Sequence, residues 1–145
     1  EISACLVGSE MCIRDSITIK GAQEIINKMR NTVRQAQARI YLSANSRMLE
    51  LMLPELQDAL QRGLKVVVIG DKYFSLPGAI CYGTNKQSEQ IRLIADSHTV
   101  LTGDLQDDED STCLYSCKRN LVDLFKEALQ NEIALIKLQK GDMNV

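Results

Sequence analysis

The sequence predicts an α/β domain with a mixed sheet flanked by helices, and three observations carry that prediction. Residues 65–69 form a continuous β-branched run, Lys-Val-Val-Val-Ile, with Gly63 before it and Gly70 after it. A run this short and this apolar reads as a strand buried on both faces. Residues 22–37 instead repeat at helical spacing and lead almost at once into a second apolar run at 38–43. A strand, a helix, a glycine stop and a buried strand make a βαβ unit. The third observation is the pair 91–95 and 99–103 around Asp96-Ser97-His98, which reads as a hairpin.

Taken in order, residues 16–21 alternate and end in glycine, so they are expected as a short strand. Residues 22–37 place Ile25, Ile26, Met29, Val33 and Ala36 on one stripe, with Lys28, Arg30, Arg34 and Gln35 mostly away from it. The strand 38–43 follows. Asn45 or Ser46 suits the cap of the next helix. That helix, 48–62, gathers Leu49, Met52, Leu53, Leu56, Ala59 and Leu60, and Pro54 either kinks it or marks the first turn of its main part. After strand 65–69 comes a loop with Tyr73, Phe74, Pro77 and Gly78. Residues 79–82 are a candidate short strand and 83–86 a turn. Residues 107–110 are a solvated acidic loop, and 112–116 another strand. The last helix, 120–138, is expected to turn Leu121, Phe125, Ala128, Leu129 and Ile136 inward. The order is β-α-β-α-β-β-β-β-α, with parallel strands first and a hairpin extending the sheet.

Residues 1–16 stand apart. Leu6 to Ser16 resembles a translated sequencing-library adapter, residue by residue, so 1–16 is expected to be an artefactual or disordered leader, 17–140 the domain and 141–145 a tail. On that reading whatever preceded Ile17 is missing.

The whole chain has 145 residues with 17 basic and 19 acidic side chains. Setting aside 1–16 removes Arg14, Glu1, Glu10 and Asp15 and leaves 16 of each. A balanced surface does not suit a nucleic-acid footprint. No apolar run is long enough for a membrane span. Cys81, Cys113 and Cys117 are odd in number and lack metal-ligand spacing, which fits thiols in a reducing cytoplasm. The acidic run 107–110 lacks the glycine and terminal glutamate of a calcium loop. No metal or cofactor is expected. Gly70-Asp71 is a weak signal for a phosphate loop, because further glycines and a helix start are missing.

The order and spacing of Ile19-Lys20-Gly21, residues 38–43, residues 60–69, Leu76-Pro77-Gly78 and residues 114–135 resemble one half of the phospholipase D fold. More narrowly, they resemble the C-terminal sensor domain of the TrmB family of transcriptional regulators. The resemblance implies the motif His-x-Lys-x₄-Asp in active phospholipase D enzymes, with histidine as nucleophile and lysine on phosphate oxygens. Anchored on Asp96, the motif would need histidine at Glu89 and lysine at Ile91. Both are lost, and His98 has Val100 where its lysine would stand. The lone His98 reads as a solvated turn residue.

The resemblance therefore implies a non-catalytic effector-binding and dimerisation domain of a cytoplasmic regulator. DNA contact would belong to a winged helix-turn-helix domain outside this sequence. The alternative is a fragment of a phospholipase D-type nuclease or phosphodiesterase, and a domain used only for oligomerisation is the blander reading. The effector is a small molecule, with sugar, nucleotide or another metabolite left open. It is expected beyond the carboxyl ends of the parallel strands. Ser43 and Asn45 supply one such end and Asp71 the other. Tyr73 and Phe74 either close the pocket or form an apolar plug. Asp96, the retained acid of the motif, is expected to face the same place. Ser43 and Asn45 serving only the next helix is the competing reading.

Overall fold

In the computed structural model, residues 16–71, 73–84, 90–104 and 111–143 are described, with side chains through residue 138. Of the expected leader 1–16, residues 1–15 lie outside them, as does the acidic run 107–110, while Ser16 is the first residue of a strand. Seven strands form one mixed sheet in the order β1-β7-β6-β5-β2-β3-β4. They are β1 (Ser16–Lys20), β2 (Arg39–Ser43), β3 (Lys65–Asp71), β4 (Ile80–Thr84), β5 (Gln90–Ala95), β6 (Thr99–Asp104) and β7 (Thr112–Ser116). β2, β3 and β4 run parallel. β5 pairs antiparallel with β2 and with β6, and β7 joins β6 to β1, again antiparallel.

Helices cover both faces. Helix α1 (Ala22–Gln35), the short α2 (Ser46–Leu51) and α3 (Leu53–Gln61) pack on one face, and α4 (Arg119–Met143) lies on the other. The period-2 alternation of the strands divides the apolar residues between them. Ile40, Leu42, Val66, Val68, Leu93 and Leu101 join Ile25, Met29, Leu49, Met52 and Leu56 in the larger core. Ile69, Ile94 and Val100 join Val122, Leu129 and Ile136 under α4. The 65–69 run is buried on both faces, from Val66 to Ile69.

The expected helix 48–62 is two helices. Pro54 lacks an N–H and its ring crowds the preceding turn, so α2 stops at Leu51 and α3 restarts with Pro54 in its first turn. The candidate strand 79–82 is present as β4 and lies parallel to β3, so Gly83 is strand rather than turn. Ala128 was expected inward and is exposed. Among the described residues of α4 the buried positions are Val122, Leu129 and Ile136, seven apart, which leaves 128 on the outer side.

Two long-range devices hold the turn from α1 to β2. The Arg62 guanidinium donates to the carbonyl oxygens of Val33 (3.0 Å) and Ala36 (2.6 Å), satisfying acceptors at the end of α1. The Asp96 carboxylate accepts from the backbone N–H groups of Gln37, Ala38 and Arg39 at 2.7 to 3.1 Å. Between α1 and α3, the buried Glu55 carboxylate takes Arg34 Nη2 at 2.9 Å and faces Arg30 Nε at 3.7 Å.

The three described cysteines are not disulfide-bonded. Cys113 is buried on β7 below α1, and burial pushes its thiol up to about 11. Lys28, whose ammonium stands 4.1 Å over the Tyr115 ring, is lowered by its own desolvation. A thiol pKa raised by folding means that the native state holds a proton the unfolded state has lost. The thiol thus stabilises fully below pH 9 and ceases to do so by about 11. Unfolding in urea should show a loss over that window, and Cys113→Ala should reduce the loss by ~2 kcal/mol. An identical alkaline limb in the variant would remove this account. Lys28 works in the opposite sense, because its folded-state pKa is depressed, and the same Lys28 is present in both proteins.

Candidate functional site

The strand register gathers polar side chains at one end of the sheet on the α4 side. Across the strands, Ser43 of β2 pairs with Arg92 of β5, Arg92 with Thr102 of β6, Thr102 with Leu114 of β7 and Leu114 with Thr18 of β1. One step further out, Gln90 pairs with Asp104 and Asp104 with Thr112. These positions share a face because successive pairs in one register line up across the pleat.

A cleft of ≈ 550 Å³ opens over β1, β7, β6 and β5. Thr18, Gln90, Thr102, Asp104, Ser111 and Thr112 give it hydroxyl, amide and carboxylate groups, and Leu114 and Phe125 give it apolar walls. Phe125 reaches it from α4. The Thr102 hydroxyl is buried and makes no hydrogen bond among the described residues. A buried hydroxyl left unpaired is costly, and a ligand donor or acceptor would relieve it. Beside the cleft, Arg92 donates to Glu132 of α4 at 2.6 Å and to the Ser43 hydroxyl at 3.0 Å. Both ionic side chains are mostly buried, so this pair ties α4 to the sheet end.

The sequence-derived candidates divide into two groups. Ser43, Asn45, Asp71, Tyr73 and Phe74 lie at or just beyond the carboxyl ends of β2 and β3, but Ser43 turns to the α4 side while Phe74 packs against the larger core on the other face. There Ser43 is buried and accepts from Arg92, while Asn45 caps α2 by accepting from Met48 N at 2.9 Å. Asp71 accepts from Tyr73 N at 2.8 Å and so closes its own loop. Tyr73 projects into solvent, 81% exposed, and Phe74 packs against the larger core. Asp96 is elsewhere. It follows β5 beside Arg39, at the amino end of β2, a strand length of ~13 Å from Ser43. An antiparallel β5 carries the residue after its last pair away from the carboxyl end of β2, and that corrects the expectation.

Ile91, the position that would carry a catalytic lysine, is 2% exposed inside the larger core. Glu89 lies outside the described residues. The cleft residues Thr18, Thr102, Asp104 and Thr112 carried no local signal in the sequence. Only the pairing of four strands brings them together. The spacing of Gln90, Arg92 and Ile94 on one face of the hairpin was the one usable cue.

The sequence matches, over residues 16–129, the family model described as transcriptional regulator TrmB, EBD N-terminal subdomain. No curated protein sequence matches. Among solved structures the fold is similar to TrmBL2, an archaeal chromatin protein with a novel mode of DNA binding. There the TM-score is 0.67 at 17% identity, over 83% of this chain and 52% of that one, so the chain spans about half of its length. NucT from Helicobacter pylori is similar with a TM-score of 0.64 at 12% identity, over 82% of this chain and 94% of that one. Nuc from Salmonella typhimurium, a phospholipase D family member, gives 0.56 at 15%, over 80% and 93%. At these identities the likeness is one of fold, and the fold is phospholipase D-like.

Proposed function

The chain belongs to the TrmB family of transcriptional regulators, and from that premise we propose that it is a sensor domain that binds a small-molecule effector and hydrolyses nothing. The observation that carries the reading is Ile91. A lysine there would have to leave its ammonium among Leu93, Leu101 and Cys113, where burial of an unpaired charge is prohibitive. Its place in the core is filled by isoleucine, and position 89 holds glutamate instead of a phosphorus nucleophile.

The effector site on this reading is the cleft at the sheet end, beside the Ser43–Arg92–Glu132 group. Its described lining carries one charge, the Asp104 carboxylate, among four hydroxyls and an amide. That set favours an uncharged, hydroxyl-rich molecule such as a sugar over a phosphate ester. The domain works as a homodimer in the cytoplasm, and DNA is contacted by another part of the regulator.

The test has two arms. Bis-p-nitrophenyl phosphate should remain intact with the protein at tens of micromolar, and a turnover lost in His98→Ala would instead favour the phosphodiesterase reading. A thermal-shift panel of sugars and nucleosides should contain a compound that raises Tm. Thr102→Val with Asp104→Asn should weaken its binding by more than about tenfold, at an unchanged Tm of the ligand-free protein. Asp71→Ala tests the neighbouring loop in the same assay. Unaltered binding in both variants would move the effector away from this end of the sheet.

A further inference from the structure

We infer that Arg92 is a positioning residue for the cleft. Through Glu132 it seats α4 on the sheet, and with α4 the Phe125 wall, so that cleft occupancy and the seating of α4 are coupled. The inference deepens the effector reading above and rests on it for the ligand. The cleft takes its floor and its wall from different layers. Thr18, Thr102, Asp104 and Thr112 of the sheet make the floor, and Phe125 of α4 makes the wall. Among the described residues α4 buries Val122, Leu129 and Ile136, against Ile69, Ile94 and Val100 of the sheet. Three side chains spread over about four turns of helix are a small apolar seat. A directed polar contact then has a large share in where the helix lies.

Arg92 supplies that contact from the middle of the sheet. Its Nη2 donates to Glu132 Oε2 at 2.6 Å and to the Ser43 hydroxyl at 3.0 Å. The two ionic side chains are 17% and 18% exposed. At this depth, loss of the Glu132 charge would leave the guanidinium uncompensated where little water reaches it. Glu132 follows Phe125 by seven residues, two turns or roughly 10 Å along the same side of α4. On the sheet, Arg92 stands directly across from Thr102, and the Cβ atoms of such a pair are ~5 Å apart. The Thr102 hydroxyl is the floor atom that makes no hydrogen bond among the described residues. Arg92 is thus rooted beside the floor and grips the helix that carries the wall. Cys117 and Lys118 alone join β7 to α4, and Lys118 N donates to the Ser116 hydroxyl, which fixes the start of the helix. The ion pair governs the part beyond. A ligand that touches both floor and wall binds the seated helix and not the lifted one. It must stabilise the seat, and the seat must in turn raise its affinity.

The seating is read in the ligand-free protein, so it and the cleft reading can fail separately. The chain has two phenylalanines, Phe74 against the larger core and Phe125 in the cleft wall. Labelling with 4-fluorophenylalanine therefore gives two fluorine resonances, which Phe125→Leu assigns. Glu132→Gln should shift or broaden the Phe125 resonance and leave that of Phe74 in place. Amide hydrogen exchange in the same variant should quicken more than about tenfold across residues 122–136 and stay unchanged in β3. Arg92→Lys keeps the charge without the planar fork and should give a smaller change of the same kind. A Phe125 resonance and an α4 exchange rate that ignore Glu132→Gln would overturn the inference. Equal movement of both resonances would overturn it too, because the pair would then support the whole fold and not the wall. A thermal-shift panel without a hit would overturn the coupling to a ligand while the seating of α4 stands.

Discussion

Gly103→Ala should lower stability by about 3 kcal/mol, enough to reduce Tm by ~10 °C in a domain of this size. The reason is close approach of backbones. A methyl at position 103 would collide with the Thr112 carbonyl oxygen and stand 2.6 Å from the Cys113 Cβ and 2.7 Å from its Cα. All three atoms belong to β7, which pairs with β6 through this register. Main-chain atoms cannot rotate aside, so β6 and β7 must separate, and the ladder hydrogen bonds beside Thr102 and Asp104 lengthen with them. Gly70→Ala is the control. Its added methyl meets chiefly the Leu49 Cδ1, at 2.5 Å, the end of a side chain that can swing. It should cost ~1 kcal/mol. Urea titrations read both effects from the midpoint at constant slope. Equal midpoints for Gly103→Ala and wild type would remove the argument. Since Gly103 also lines the cleft, the same substitution should disturb effector binding where Gly70→Ala leaves it intact.

What the sequence revealed and what it concealed follow the same physical line. Residues 65–69 announce a buried strand because three valines and an isoleucine cannot face water on either side. Residues 91–95 and 99–103 announce a hairpin because the turn between them is short and polar. In it Asp96 and Ser97 both take positive φ, 57° and 55°, as the tight mirror-image turns require. These features are local. The cleft is not local, since Thr18, Thr102 and Thr112 sit on three strands whose order in the sheet departs from their order in the chain. The parallel placement of β4 was equally hidden, because no helix spans the connection from β3. Ala128 failed by one helical position, where an apolar residue of low bulk fits either side of α4. Arg62 and Asp96 act across 26 and 59 residues, on carbonyl oxygens and N–H groups that have no sequence signature. Ser43 and Asn45 were legible as polar strand-end residues. Their partners, Arg92 and Met48 N, decide what each now does.

Asp96 gives the second large effect, and it separates a structural role from the effector role that its place in the motif suggested. Asp96→Ala should destabilise by about 3 kcal/mol, and effector binding by the folded protein should be unchanged. The carboxylate gathers three consecutive N–H groups, those of Gln37, Ala38 and Arg39, at the point where α1 hands the chain to β2. Hydrogen bonds to a charged acceptor contribute about 1.5 to 3 kcal/mol each when buried, and here partial exposure reduces the sum. Alanine adds a second cost, because residue 96 holds φ at 57°, where aspartate and asparagine are tolerated and alanine is strained. Asp96→Gly removes the carboxylate without that strain and should recover ~1 kcal/mol of the loss. Asp96→Asn keeps an acceptor oxygen and the backbone preference and should cost ~1 kcal/mol. The expected ranking is wild type, then asparagine, glycine and alanine, read from urea midpoints. A flat ranking with lost effector binding would return Asp96 to the site. A graded ranking with intact binding leaves it where the hydrogen bonds place it, under the turn that starts β2.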